Sequence, residues 1–378
     1  MVKKEKGKEI RVCFINMNNA DPRKYFPTRV LFDNFNIKIV NDKKDADIIF
    51  GTIIKDRHKD YLNDNKKNIV LSGENIYAKR NVLGLIDAIL HKIVKDKKYK
   101  IVDFLDRLLP RFISGLELNY LFGGYLKMLK NIKEGKLNSV YFVLSNEAQL
   151  RNTVSFPFFL QDSYDELKKL SQKKANRTKI DKNLRFCVFI VASNSSRERV
   201  GFFRKLSRYK KIESYGKVMN NMEGRLYNQF WNGNPEINIF KKKKINRDLS
   251  KEFVNRGWKT NPTLFKNYKF VISFENSLAN DYIGEKLPNV FASGAIPIYR
   301  GAPNVATYFN TKSFVNYEDY GSYEKMIKKI IEIDNDDRLY LKMAKESPFN
   351  GGKWPKLYDQ KVKDLIKFYK KILLGPPK

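Results

Sequence analysis

Four polar side chains of different chemistry lie close together in one short stretch of the chain. In FENSLANDYIGEKLPNVFASGAIPIYRG, residues 274–301, they are Asn276, Tyr282, Glu285 and Lys286. A lysine can bind a phosphate, a carboxylate can accept hydrogen bonds from sugar hydroxyls, and a tyrosine can contact a ring or a hydroxyl. Together these residue types indicate a binding site for a sugar nucleotide.

The elements around these residues are predicted to bring them to one edge of a sheet. The run FVISF, residues 270–274, is typical of a buried strand, and the polar residues begin where it ends. The segment 284–293 predicts a helix that tolerates Pro288 near its start and has Gly294 as the cap beyond its end. Ligands of open α/β sheets bind beyond the carboxyl ends of the strands, where helix N-terminal amides attract anions.

A plainer interpretation of the same residues stays open. Glu285 and Lys286 could be an ordinary helix start, and Tyr282 could be an aromatic residue of the core. The segment AIPIYRGAP, residues 295–303, favours the binding site, because it predicts a second strand that ends in a tight turn at the same edge.

The distribution of apolar runs along the chain predicts an α/β fold. Short apolar runs between charged segments are typical of parallel strands that helices cover on both faces. They occur in two series, at 10–17, 37–40, 45–53, 68–72 and 139–146, and then at 186–194, 269–277, 295–303 and 313–320. Two doubly wound, Rossmann-like domains that face an interdomain cleft are therefore expected.

Changes in the spacing of apolar and polar residues suggest where these domains begin and end. The predicted parts are a first domain at 1–165, a linker at 166–185, a second domain at 186–355, and a C-terminal helix and tail at 356–378. Helical spacing of apolar residues predicts a helical insertion at 81–137 in the first domain. The apolar face of that insertion is expected either to pack against its own domain or to rest on a membrane surface.

Composition excludes several classes of protein. The 378 residues carry a net charge of +33, with two cysteines, Cys13 and Cys187, and two histidines, His58 and His91. A disulfide framework, a zinc site and a serine–histidine triad are therefore not expected. The lysines are spread along the chain, which argues against a nucleic-acid-binding surface. The charged N-terminus predicts neither a signal peptide nor a membrane anchor, and hence a cytoplasmic or peripheral membrane location.

The order of motifs around the predicted site resembles that of a known enzyme family. FENSLANDYIGEKL, followed by GAIPIYRGAP and SFVNYEDY, resembles the signature of the α-1,3-fucosyltransferases of glycosyltransferase family 10, in which F-x-F-E-N-S/T precedes Y-V/I-T/S-E-K. The resemblance implies a GT-B fold whose first domain binds the acceptor and whose second binds GDP-fucose. By motif position, it implies that Asn276, Tyr282, Glu285 and Lys286 are donor-binding residues.

The same resemblance implies the reaction and its substrates. Family members transfer L-fucose, with inversion, from GDP-fucose to an N-acetylglucosamine or glucose hydroxyl of a β-galactoside-type glycan. The expected partners are thus GDP-fucose and an oligosaccharide or glycan acceptor, with no nucleic acid and with peripheral membrane contact left open. No metal is expected to be required, and a divalent cation would at most stimulate the reaction.

Two further motifs add residues to the predicted site. VASNSSRERVGFF, residues 191–203, resembles the family segment with the diphosphate-binding arginine, which implies Arg199 for that role and Ser193 and Asn194 near the nucleotide. Arg197 is the alternative, since the spacing is one residue shorter than is usual in the family. SGEN, residues 72–75, resembles the family motif that carries the general base, which implies Glu74.

One position departs from the family pattern. Gly284 stands where the family usually has Thr or Ser before the Glu-Lys pair, which implies a weaker donor contact or a looser helix start. Two other functions remain as alternatives: a GT-B glycosyltransferase with a different nucleotide-sugar donor, and a basic nucleic-acid-binding protein.

Overall fold

The computed structural model describes most of the chain around two sheets. The described ranges are 8–15, 21–52, 67–71, 138–141, 153–172, 179–191, 197–216, 218–222, 261–276 and 278–375. The predicted insertion at 81–137 lies outside them, and the domain boundaries given above stay predictions. No helix in these ranges combines the length and the apolar character needed to cross a bilayer.

The first sheet is built from strands of the first half of the chain. They are β1 (Ile10–Ile15), β2 (Ile37–Ile39), β3 (Ile48–Thr52), β4 (Lys67–Leu71), β5 (Asn138–Tyr141) and β6 (Thr153–Ser155). All pair in parallel, in the order β2-β1-β3-β4-β5-β6. In the central strand β4, the last three residues, Ile69–Leu71, form a continuous buried apolar run, because both faces of a parallel sheet are covered.

The second sheet has the same parallel character. Its strands are β7 (Arg185–Phe189), β8 (Ile212–Ser214), β9 (Tyr268–Phe274), β10 (Ile296–Arg300) and β11 (Val315–Asn316). They pair in the order β11-β10-β9-β7-β8, so β9 lies in the centre between β10 and β7. The register places Phe274 opposite Arg300, and the carboxyl ends of β9 and β10 therefore coincide.

Eight helices are described. They are α1 (Phe26–Asn34), α2 (Phe158–Ser171), α3 (Arg197–Leu206), α4 (Asn261–Phe265), α5 (Lys286–Ser293), α6 (Tyr323–Asn335), α7 (Asp337–Lys345) and α8 (Lys356–Leu374). The Ser322 hydroxyl accepts from the Lys325 N–H at the start of α6, and Asp336 caps α7 in the same way. Such side-chain caps satisfy amides that have no partner within the helix.

The last of these helices packs against the first sheet. The Tyr369 hydroxyl of α8 donates to the carbonyl of Pro27 at 3.1 Å, and Nζ of Lys67 in β4 donates to the Ile372 carbonyl at 3.0 Å. The ring of Phe50 in β3 contacts that of Tyr369, with 6.3 Å between the centroids. Helix α8 thus returns the chain to the sheet on which it began.

A single apolar core connects the elements next to the site. Its buried members include Phe159 of α2, Leu287 and Phe291 of α5, and Tyr358 of α8. The Phe159 N–H also donates to the Ile283 carbonyl at 3.1 Å, which ties the segment before α5 to the start of α2. The segment that carries the candidate site residues therefore packs against buried aromatic side chains of the core.

The sequence predicted most strands but not every element. Each predicted apolar run contains a strand, although in 313–320 the strand is only Val315–Asn316 and Tyr317–Asp319 forms a 3₁₀ turn. Nδ2 of Asn316 donates to Asp319 Oδ1 at 3.1 Å across that turn. Strands β6 and β8 were not predicted, because three residues are too few to display a periodicity.

Candidate functional site

The centre of the candidate site is a buried carboxylate just after β9. Glu275 continues the pairing with β10 through its N–H, which donates to the Arg300 carbonyl at 2.8 Å. Its side chain is 1% exposed. Oε1 accepts from the Gly284 N–H at 2.8 Å, and Oε2 accepts from Nζ of Lys286 at 3.1 Å. The carboxylate therefore joins the end of β9 to the start of α5.

Two glycines allow this close approach. A Cβ at Gly284 would lie 3.1 and 3.2 Å from the two Glu275 carboxylate oxygens, and one at Gly301 would lie 2.7 Å from Glu275 Cγ. Contacts below about 3.4 Å are tighter than van der Waals packing normally permits. The glycine at 284, in which the chain departs from the family pattern, thus leaves room for the buried carboxylate.

Helix α5 has the predicted ends, shifted slightly at its start. The helix begins at Lys286, Glu285 stands at the N-cap position without a side-chain cap, and the Asn289 N–H donates to the Glu285 carbonyl at 3.0 Å. Gly294 ends the helix with φ of 77°, in the left-handed region that glycine adopts without strain. The first amides of α5 therefore lie at the carboxyl edge of the sheet, as predicted.

Lys286 lies between two carboxylates. Nζ is 3.1 Å from Glu275 Oε2 and 3.4 Å from Glu285 Oε1, and the side chain is 30% exposed. Burial lowers the pKa of Lys286, but Glu275 and Glu285 outweigh burial and the pKa is raised overall, while Arg199 acts to lower it. The ammonium group is therefore protonated at neutral pH and remains partly accessible.

Arg199, the third residue of α3, reaches the same carboxyl edge. It is 4% exposed, and Nε donates to the Glu275 carbonyl oxygen at 3.2 Å. Nη2 is buried and has no hydrogen-bond partner among the residues that the structure describes. Burial lowers the pKa of Arg199, which Glu275, Tyr282 and Glu285 oppose, but a guanidinium stays charged at any physiological pH. A buried cation with an unpaired donor suits an anionic ligand.

Tyr282 and Asn276 form a hydrogen-bonded pair beside the cations. The Tyr282 hydroxyl donates to Oδ1 of Asn276, which is itself exposed. The Tyr282 ring is buried against Phe158 and Ala279. Both interpretations of Tyr282 therefore hold, because its ring belongs to the core while its hydroxyl lies next to the predicted donor-binding residues.

The loop before Tyr282 has an unusual backbone conformation. Asp281 has a φ of 64°, which is uncommon for a residue other than glycine. Its Oδ1 accepts from Nδ2 of Asn304 at 2.8 Å and from the Tyr308 hydroxyl at 2.7 Å. These contacts fix the loop against the turn that follows β10.

A further cation, Arg300, lies at the end of the neighbouring strand. It forms an ion pair with Glu198 and donates to the Tyr323 hydroxyl, and its guanidinium carbon lies 4.4 Å from the centroid of the Tyr317 ring. Neither Arg300 nor Glu275 was among the residues predicted for the site. The signal for both was their position directly at the end of a buried strand.

Several predicted residues lie outside the described part of the chain. These are Glu74, Ser193 and Asn194, and the side chain of Arg197 is likewise not described. The structure brings together Arg199, Asn276, Tyr282, Glu285 and Lys286, through the contacts given above and through mutual electrostatic interactions. The roles of all eight predicted residues stay predictions.

Comparison with known proteins identifies the part of the chain that carries this edge. Residues 179–345 match the family model described as glycosyltransferase family 10 (fucosyltransferase), C-terminal domain. This segment of the chain is similar to the C-terminal domain of glycosyltransferase family 10. The resemblance predicted from the motifs is thereby confirmed.

Similar sequences come from bacteria, a virus and animals. An α-(1,3)-fucosyltransferase of Helicobacter pylori is 38% identical over 108 residues, 28% of this chain and 23% of that protein. A candidate fucosyltransferase of Acanthamoeba polyphaga mimivirus is 21% identical over 314 residues, 78% of this chain and 48% of that protein. The human 4-galactosyl-N-acetylglucosaminide 3-α-L-fucosyltransferase 9 is 43% identical over 75 residues, 19% of this chain and 21% of that protein. The matched region thus spans less than half of each relative.

Solved structures share the fold over nearly the whole chain. A crystal structure of an α1,3-fucosyltransferase aligns with a TM-score of 0.61 at 16% identity, covering 98% of this chain and 91% of that one. A structure described as α1,3-fucosyltransferase with GDP-fucose aligns with a TM-score of 0.57, at the same identity, over 98% and 92% of the two chains. The predicted α/β architecture of GT-B type is therefore confirmed.

Proposed function

We propose that the protein is an inverting α-1,3-fucosyltransferase that moves L-fucose from GDP-fucose to a hydroxyl of an N-acetylglucosamine or glucose unit in a β-galactoside-type glycan. The observation that carries the proposal is the Arg199 guanidinium, which is buried beside Lys286 and the start of α5 with Nη2 unpaired within the described residues. A diphosphate is the anion that two cations and a helix N-terminus would bind together.

In the proposed mechanism, the cations act on the leaving group. As the bond between fucose and phosphate breaks, negative charge grows on GDP. The planar fork of Arg199 and the Lys286 ammonium would stabilise that charge without reorganisation, because both are already held in place by Glu275. A preorganised donor of this kind contributes roughly 3 kcal/mol to transition-state stabilisation.

The remaining residues of the edge would bind the rest of the donor. The Glu285 carboxylate is 14% exposed, so it can accept hydrogen bonds from sugar hydroxyls while it also contacts Lys286. The Tyr282–Asn276 pair presents an amide at the surface next to the same cations. Ser193 and Asn194 are proposed to lie near the nucleotide by motif position alone.

The acceptor would be activated by Glu74. Strand β4 ends at Leu71, three residues earlier in the sequence, in the middle of the first sheet. Glu74 would remove the proton from the acceptor hydroxyl as this attacks the anomeric carbon, with an oxocarbenium-like transition state. Such base assistance contributes on the order of 10²–10⁴-fold to the rate.

The relatives support this choice of donor. Those described above are named as fucosyltransferases, and one solved structure of similar fold was obtained with GDP-fucose. A release assay tests the proposal: the full chain is incubated with GDP-fucose, GDP-mannose or UDP-galactose, each with lactose or N-acetyllactosamine. Acceptor-dependent release of GDP from GDP-fucose alone is the expected result, and release from another donor would support a different GT-B transferase.

A further inference from the structure

Glu275 contacts both cations of the proposed donor site but is not among the residues that bind the donor in the proposed function. We propose that Glu275 is a positioning residue for donor binding, orienting Arg199 through its backbone carbonyl and Lys286 through its carboxylate. The inference rests on the proposed function, since it concerns the same diphosphate site.

The carbonyl of Glu275 determines which N–H groups of Arg199 are available to a ligand. Nε of Arg199 donates to that oxygen at 3.2 Å, so the inner edge of the guanidinium is already used. Because the guanidinium is planar and rigid, one fixed N–H sets the direction of the others. Nη2, which has no partner among the described residues, is therefore left for a ligand in a fixed orientation.

The carboxylate of Glu275 positions the start of α5. Oε1 accepts from the Gly284 N–H at 2.8 Å and Oε2 from Lys286 Nζ at 3.1 Å. The side chain is 1% exposed, and charge-assisted hydrogen bonds are strong when they are shielded from water. One buried group thus holds both the lysine and the backbone turn that precedes the helix.

The formal charges of this cluster cancel. Arg199 and Lys286 are positive, while Glu275 and Glu285 are negative, and all four interact. A diphosphate would then bind through well-directed donors instead of through a net positive charge. The two explanations consequently predict opposite effects of Glu275→Gln on GDP binding. If net charge controls binding, the extra positive charge should strengthen it. If positioning controls binding, the loss of the anchor for Lys286 should weaken it.

Binding of GDP to the full chain, measured by calorimetry, separates these two roles. We expect Glu275→Gln to bind GDP and GDP-fucose about tenfold more weakly or worse, since one charged hydrogen bond is lost. Tighter or unchanged binding in a folded variant would overturn the inference. If the native protein itself did not bind GDP, the proposed function would fail as well, so the two failures are distinguishable.

The pH dependence of GDP binding gives a second readout that a merely structural role would not change. Glu275 and Glu285 raise the pKa of Lys286 against burial and Arg199. Without the Glu275 charge the lysine loses its proton at a lower pH, so the alkaline decline of GDP affinity should begin at a lower pH in Glu275→Gln. If the GDP affinity of Glu275→Gln began to fall at the same alkaline pH as that of the native protein, a role of Glu275 through Lys286 would be contradicted.

A matched control and a double variant complete the test. Asp334→Asn removes another buried carboxylate of the same half, which binds Lys269 and Lys210 at 3.0 Å each, and Lys269 lies near the amino end of β9. It should leave GDP affinity and its pH profile unchanged. Glu275→Gln combined with Lys286→Gln should bind GDP no worse than Lys286→Gln alone, whether or not the single Glu275 variant folds. A clearly additive loss would refute positioning through Lys286.

Discussion

Two hydrogen bonds join Asp281 and Asn304 at the carboxyl edge of the second sheet. The Asp281 N–H donates to Asn304 Oδ1 at 2.8 Å, and Asn304 Nδ2 donates to Asp281 Oδ1 at 2.8 Å. Asp281 needs this support because its φ of 64° costs energy in a residue with a Cβ. Tyr282 follows directly, so the turn after β10 determines where a predicted donor-binding residue lies.

Replacement of Asn304 by alanine should therefore weaken both the fold and donor binding. Both hydrogen bonds are lost and Asp281 keeps its strained conformation, so we expect the free energy of unfolding to fall by about 1–3 kcal/mol. GDP affinity should fall several-fold because the Tyr282 loop is released. Urea unfolding and GDP calorimetry measure the two effects.

Asn310→Ala is a suitable control for that variant. Nδ2 of Asn310 donates to Glu346 Oε2 at 3.1 Å and to the Ser347 carbonyl at 2.9 Å, away from the candidate site. It should lower the unfolding free energy by a similar amount while GDP affinity stays native. Equal loss of GDP affinity in both variants would show that general stability, and not the loop, controls binding.

Arg199→Lys should separate the charge of Arg199 from its geometry. Lysine keeps the positive charge but cannot both donate to the Glu275 carbonyl and present a planar fork to two phosphate oxygens. We expect GDP affinity to drop at least about tenfold, with an unchanged circular dichroism spectrum. The exposed Arg208, just beyond α3, provides the control, because Arg208→Lys should bind GDP normally.

Glu74→Gln and Lys286→Ala should impair different steps. If Glu74 is the base, Glu74→Gln keeps GDP affinity but lowers turnover by on the order of 10²–10⁴-fold. Lys286→Ala should lose GDP affinity and turnover together, since the ammonium is proposed to contact the diphosphate. Single-turnover kinetics with labelled GDP-fucose distinguishes them, and near-native turnover of Glu74→Gln would remove Glu74 from the mechanism.

Asp334 should make the stability of the second half depend on acid pH. Burial raises the pKa of Asp334, but hydrogen bonds from Lys269, Lys210 and Tyr209 outweigh burial, and the pKa is lowered. A carboxyl with a depressed pKa stabilises the fold above its unfolded pKa, near 3.8, and this contribution disappears as the pH falls through the folded value.

Asp334→Asn tests that dependence. It should cost about 3 kcal/mol at pH 7, because two lysines lose a buried partner, and the difference from the native protein should shrink steadily below pH 4. Urea unfolding at pH 7, 4 and 3 provides the comparison. A difference that does not change with pH would mean that the carboxylate charge is not what stabilises this cluster.

Local sequence signals were sufficient for the central strand and helix of the site. FVISF predicts β9 because its residues are apolar and β-branched or aromatic, and Gly294 marks the end of α5 because its φ requires glycine. Arg199 came from the family motif, and the structure brings it within reach of Glu275. These features depend on neighbouring residues or on a long specific motif.

Contacts between distant parts of the chain could not be predicted in this way. The Asp281–Asn304 pair joins residues 23 positions apart, and Arg300 at the end of β10 pairs with Glu198 of α3. The burial of Glu275 depends on the backbone path through Gly284, which no periodicity encodes. Helix α1 was missed because it has only nine residues and no side-chain cap.

The return of α8 to the first sheet has a consequence for biosynthesis. Its residues Tyr369 and Ile372 complete a core that includes Phe50 and Leu71, which are translated about 300 residues earlier. During synthesis, part of the apolar face of the first sheet therefore stays exposed to solvent until the segment 356–374 has left the ribosome and can pack against it. A nascent chain stalled before that point would be a natural client for chaperones, and a frameshift there would harm the half of the protein that had already been made.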